Sequence, residues 1–183
     1  MLYYQLRLVG EQVRKGEIKL SDGLLVVFRY LRDHLPSERL MWLNRELLGY
    51  RRDDLEGFNE SAPVRLFFRP QQKQCSLEFP QYRFLTGTWG RMDRSGRLMT
   101  IDDQRLAEKS IFCNIGIQQI ETQIEEMDSP CDGMFSMSYD SATGAEYYIR
   151  SAELIRVYEA VRDKLCQFIE LIIDELKLAP NEA

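Results

Sequence analysis

From Ser151 to Leu178 the chain carries one uninterrupted helical pattern, stopped by Pro180. Leu154, Tyr158, Val161, Leu165, Phe168 and Ile172 recur at steps of three and four, and Ile155, Ile169, Ile173 and Leu176 make a second apolar edge. Side chains spaced in this way share one side of an α-helix. About 26 such residues span roughly 39 Å, more than a small domain usually covers. The helix therefore needs a long companion, either a second long helix of the same chain or a second copy. On the second alternative, Leu154, Tyr158, Leu165, Phe168 and Ile172 are the expected homo-oligomer or partner interface.

A companion is predicted over 103–127. Asp102 or Asp103 offers a cap, and Leu106, Cys113, Ile117, Ile120, Ile124 and Met127 step by 7, 4, 3, 4 and 3, a heptad-like seam ended by Ser129-Pro130. Three shorter helices are predicted before residue 50. Leu2, Leu6, Val9 and Val13 form a stripe closed by Gly16. Ser21 or Asp22 caps the next helix. Its run GLLVVFRYLRDHL is apolar on more than one face, so it belongs in the centre, and Pro36 stops it. The third runs from Ser37 through Leu48, with Gly49 as its C-terminal stop.

The middle of the chain reads differently. Residues 51–63 are polar and loop-like, VRLFFRPQQKQ is a strand candidate, and SLEFPQYRFLTGTWGRMDRSGRLMTI reads as short β structure. Asp93-Arg94-Ser95-Gly96 is a hairpin turn between Trp89–Met92 and Arg97–Ile101. Pro80 places this β piece at an edge or at the start of a strand. A hairpin alone is marginal in water, so it must pack on the helices. Residues 129–146 read as loop, with MFSMSYD a short strand candidate and Ala142-Thr143-Gly144 a turn. The expected architecture is a single α+β, mainly α domain over 1–183. It is a helical bundle with helices in 1–50, a small antiparallel β insert at about 64–101, and two long helices at about 103–127 and 151–178.

Charge and residue counts narrow the chemistry. The net charge of −5 disfavours nucleic acid as a partner, since phosphate binding rests on clustered Lys and Arg. The N-terminus shows no signal-peptide layout and no run reaches the roughly 18 apolar residues a membrane span needs, so a cytoplasmic protein without a membrane partner is expected. Cys75, Cys113, Cys131 and Cys166 lack zinc-knuckle spacing and are expected as free thiols, mostly core filler. One histidine, His34, excludes mechanisms that need two. There is no phosphate loop, no HExxH and no GxSxG. The expectation is no catalytic residue, no metal site and no cofactor.

Two constellations remain. Arg83, Arg91, Arg94 and Arg97 lie close together with Tyr82, Phe84 and Trp89 between them. Cations beside aromatic rings are what nucleotides and single strands use, so Arg83, Trp89, Arg91, Arg94 and Arg97 are candidate ligand-binding residues, for a nucleotide or nucleic-acid sensor. Charged hairpin edges and protein interfaces use the same residue types. The second constellation is WLNRELLGY, Trp42 to Tyr50. Leu40, Leu43 and Leu47 form its core stripe, Gly49 its stop, and Tyr50 is expected to fold back on the last turn near Glu46.

WLNRELLGY, followed by FPQYR and then by AVRDKLCQFIELIIDEL, resembles the AbiTii domain family. The positions that carry the likeness are Trp42, Leu43, Glu46, Leu47, Gly49 and Tyr50, then Pro80, Tyr82, Arg83 and Gly87, then Val161, Arg162 and Leu165, over roughly residues 5–178. The resemblance implies an accessory or sensor module of bacterial abortive-infection and other anti-phage systems, regulatory rather than enzymatic. It would work beside an effector protein that supplies the toxic chemistry. Under this reading Arg83 is expected to pair with Glu46.

Overall fold

A computed structural model of the chain describes residues 2–50, 80–102, 106, 110–127 and 133–178. The polar stretch 51–63, the strand candidate VRLFFRPQQKQ, Cys75 and Cys131 lie outside the described residues. The fold is mixed α+β. In order come α1 (Leu2–Lys15), α2 (Leu20–Leu31), α3 (Ser37–Leu48), a 3-10 turn (Gln81–Arg83), β1 (Phe84–Met92), β2 (Leu98–Thr100), β3 (Ser110–Phe112), α4 (Ile117–Glu125), β4 (Met134–Asp140), β5 (Ala145–Arg150) and α5 (Ser151–Leu178). The chain divides into two compact units built from interleaved segments: 1–50, 115–123 and 158–183 form the first, 51–114 and 124–157 the second.

The first unit is helical, with α5 at its axis. The faces of α1, α2 and α3 that their sequence stripes define all turn inward, with Leu6, Val9, Val13, Leu24, Val27, Leu40 and Leu43 buried. Small residues bring two of these helices close to α5. A Cβ on Gly10 would lie 3.3 Å from Ile169, and one on Gly23 would lie 3.6 Å from Leu165. The third contact is aromatic: the Trp42 and Phe168 rings meet edge to face at 5.2 Å. Gly16 and Gly49 close α1 and α3 with φ of 69° and 85°, which an L side chain rarely adopts.

The second unit is an antiparallel sheet in the order β2-β1-β5-β4, with β3 also paired to β1. The hairpin is where the turn signal put it: Met92 pairs with Leu98 and Gly90 with Thr100, and Gly96 has φ 78°. Pro80 precedes the 3-10 turn that leads into β1. The hairpin is completed by further strands. Gly87 pairs with Ile149 and Trp89 with Tyr147 across β1 and β5, and Leu85 pairs with Ile111 across β1 and β3. One face of this sheet buries Leu85, Trp89, Ile111, Tyr147 and Ile149, while Thr86, Thr88, Thr100, Ser136 and Tyr139 on the other face are exposed. This alternation is the usual arrangement for an antiparallel sheet.

Two expectations are corrected. The predicted helix over 103–127 is not one helix: 110–112 is a strand on β1, and α4 spans only Ile117–Glu125. The apolar steps through Leu106, Cys113 and Ile117 belong to three different local structures. Ile111, Phe112 and Cys113 are all buried, so this stretch is apolar on every side and its spacing carries no period. The fold is therefore not a bundle built on two long helices. Nor is the sheet confined to an insert ending at residue 101, because β3, β4 and β5 extend it to Arg150.

The apolar stripe of α5 is used largely within the chain. Leu154, Leu165 and Ile172 are completely or almost completely buried within the single chain, and Tyr158 and Phe168 are half-buried. The length of α5 is used by two units in succession, its first turns lying in the second unit and its remainder in the first. Leu154, Leu165 and Ile172 of that stripe are therefore core of the single chain.

Candidate functional site

Trp42 to Tyr50 forms the end of α3 and the turn after it. Glu46 is fully buried, and the Tyr50 hydroxyl donates to its Oε1 at 2.7 Å. The tyrosine thus folds back one turn onto the helix that Gly49 closes. A carboxylate deep in a core needs such donors. Trp42 is held by two residues one turn apart on the same face of α5, by Phe168 edge to face and by the Lys164 ammonium 4.7 Å from its ring centre. Leu47 and Gly49 press on another segment of the first unit. A Cβ at Gly116 would lie 2.3 Å from the Leu47 carbonyl oxygen and 3.1 Å from the Gly49 nitrogen. Val161 is buried on α5, and Arg162 pairs with Glu159 on its flank. Each of these residues has a packing function.

The other motif residues behave similarly in the second unit. Arg83 is fully buried, and its backbone carbonyl accepts from Cys113 N–H at 2.8 Å while its guanidinium donates to the Cys113 carbonyl at 3.4 Å. Gly87 has no room for a side chain: a Cβ there would lie 2.3 Å from the Tyr148 carbonyl oxygen and 2.6 Å from the Tyr147 ring. The Tyr82 carbonyl accepts from Arg156 at 3.1 Å.

The five candidate ligand-binding residues do not share a surface. Arg83 is fully buried, and Trp89 lies in the sheet core against the Tyr147 ring at 5.3 Å. Arg91 is exposed but donates to the Gly144 carbonyl at 3.1 Å and to that of Thr143, fastening the β1–β2 hairpin to the β4–β5 turn. Arg94 and Arg97 are exposed on a turn that Asp93 organises. Asp93 Oδ1 accepts from Ser95 N–H and from Arg97 N–H at 2.8 and 2.9 Å, and its bonds to Ser95 hold its carboxyl below the usual range. Cations and rings that sequence order sets side by side are here divided between core and turn.

What the sequence did not signal is a groove in the first unit between α1 and α5, of about 380 Å³. Gly10, Ile169 and Ile173 lie along it, with Cys166 beside them. Its rim is charged. Arg7 pairs with Glu11 at 3.2 Å and Lys177 with Asp174 at 3.1 Å, while Arg14 pairs with Glu170 across the groove. The Lys177 ammonium also stands 5.7 Å from the Tyr3 ring centre. Burial pushes the Cys166 thiol above its ordinary pKa, which makes it a poor nucleophile near neutral pH. The groove can therefore bind by shape and charge, and its thiol is not primed for attack. Arg7, Gly10, Glu11 and Arg14 lie off the apolar stripe of α1 and carry no motif, and only the docked α5 turns that edge into a wall.

No family model, no curated protein and no solved structure matches the chain. Among the described residues, no helix is long and apolar enough to cross a membrane.

Proposed function

We propose that the protein is a non-enzymatic accessory or sensor component of a bacterial anti-phage system, acting in the cytoplasm through a partner effector and through self-association. The α1–α5 groove is the observation that carries the binding part of this reading. Its floor of Gly10, Ile169 and Ile173 is almost wholly buried, so what it offers a partner is its rim of alternating charges, suited to a charged segment of complementary pattern. Its ion pairs are largely exposed and screened by solvent, so a partner's charges can replace them at little cost. The defence setting is supported by the likeness of WLNRELLGY, FPQYR and AVRDKLCQFIELIIDEL to the AbiTii domain family.

The test is phage plating on a bacterial host that carries the native locus. Deleting this gene while keeping its neighbours is expected to abolish protection. A chain with Arg14→Glu and Lys177→Glu is expected to fold, fail to co-purify with the effector, and fail to protect. Unchanged plating in the deletion strain would remove the defence reading. Protection by the groove variant would remove the groove from it.

A further inference from the structure

Strand β4 lies at one edge of the sheet and pairs only with β5 among the described residues. Natural edge strands are blunted by charge, proline or shortness, because an open row of backbone donors and acceptors recruits another strand. The opposite edge, β2, is three residues long and follows a turn that carries the exposed Arg94 and Arg97. Strand β4 is seven residues long, and Met134 to Tyr139 contain no charge, no proline and no glycine. Its one irregularity is a bulge between Ser136 and Ser138.

That bulge has a geometric effect. Residues five apart on a regular strand point to opposite faces. Here Met134 pairs with Arg150 and Tyr139 with Glu146, and the extra residue brings both side chains to the same, solvated face. They are exposed to 39% and 61%. An antiparallel copy of β4 centred between Ser136 and Met137 would set Met134 of each copy against Tyr139 of the other. That arrangement makes two identical sulfur–aromatic contacts across a two-fold axis. A strand meeting its own image brings like side chains together, and β4 has no charge over these six positions to oppose it.

We propose that the protein forms a two-fold dimer by antiparallel pairing of β4 with β4, joining two sheets into one. This rests on the self-association in the reading above and names its surface.

The experiment is sedimentation equilibrium on the wild-type chain and on two variants, Met134→Lys with Tyr139→Lys and Met134→Glu with Tyr139→Glu. Both positions are exposed, and unchanged melting curves establish that the variants fold. The wild type is expected to weigh twice the chain mass, and each variant alone the chain mass, since like charges then face each other. An equimolar mixture of the two variants is expected to restore the dimer, because lysine then meets glutamate. A wild type that stays monomeric would overturn the self-association itself. A wild-type dimer that persists in both variants, or a mixture that stays monomeric, would overturn only the β4 surface.

Discussion

Tyr50 and Glu46 show why a glycine stop is followed by a tyrosine. Gly49 turns the backbone with φ 85°, and the ring that follows carries its hydroxyl to a carboxylate buried one turn earlier. Replacing Tyr50 by Phe keeps the ring and removes the donor. It is expected to destabilise the fold by about 1–3 kcal/mol, read from urea denaturation, since a buried carboxyl group loses a hydrogen bond. Gly116 is the neighbour that this turn requires. Gly116→Ala would drive a methyl group into the Leu47 carbonyl, and relaxation of the backbone is expected to cost about 1–3 kcal/mol in the same measurement. A folded Gly116→Ala chain of wild-type stability would mean that α3 and residue 116 are not in tight contact. The fold-back of Tyr50 was readable from sequence. The need for glycine at 116 was not, because it comes from a backbone that approaches from almost seventy positions away.

At the scale of elements, the first turns of α5 complete a β-ladder. The pairing of Gly87 with Ile149 would continue to Thr86 and Arg150, but there the chain turns into the helix. Side chains take over. Thr86 N–H donates to Glu153 Oε2 at 2.8 Å, the Arg156 guanidinium donates to the carbonyls of Phe84 and Tyr82, and Arg156 and Glu153 pair at 3.0 Å. Glu153→Ala should leave the Thr86 amide without this acceptor and raise its hydrogen-exchange rate by about tenfold, the equivalent of one ordinary hydrogen bond. An unchanged rate would mean that the amide is protected by other means. The β1–β2 turn depends on pH. Asp93 has its folded-state pKa lowered, mainly by the Ser95 hydroxyl, so the stability it adds is present above the ordinary carboxylate pKa and is lost as pH falls through the lowered one. NMR shifts of the Ser95 and Arg97 amides are expected to titrate together below the usual aspartate range.

Legibility followed solvent exposure. The bounds of α1, α3 and α5 and the β1–β2 hairpin were readable because each has a wet side and therefore a period. AEYYIR, which became β5, has Ala145, Tyr147, Tyr148 and Ile149 all buried and shows no alternation. The start of α2 was misread for another reason. Ser21 lies inside the helix, and its N–H and hydroxyl bond Glu121 of α4, a carboxylate one hundred positions away. No local pattern announces such a cap. Of the candidate site, neither the residues on α1 nor the groove was read, since a groove is made by two elements.

On the scale of the whole molecule, each unit holds one of the two tryptophans, Trp42 in the helical unit and Trp89 in the sheet unit. Single-tryptophan variants, Trp42→Phe and Trp89→Phe, therefore report on the units separately. Because α5 runs unbroken through both, Leu165→Ala is expected to lower the midpoints seen by both probes together, by about 2–5 kcal/mol of stability for a large buried side chain cut to a methyl. Two separated transitions would show that the helix does not transmit the loss. The placement of α5 also sets an order on biosynthesis. A ribosome makes this helix after α1–α4 and β1–β5, yet Leu154 and Val157 belong to one core and Val161, Leu165 and Ile169 to the other. Neither core can close while α5 is still in the exit tunnel. The nascent chain must therefore hold the apolar faces of α1 and α2 and the inner face of its sheet uncovered until α5 has emerged, which makes it a natural client for chaperones that wait at the tunnel mouth.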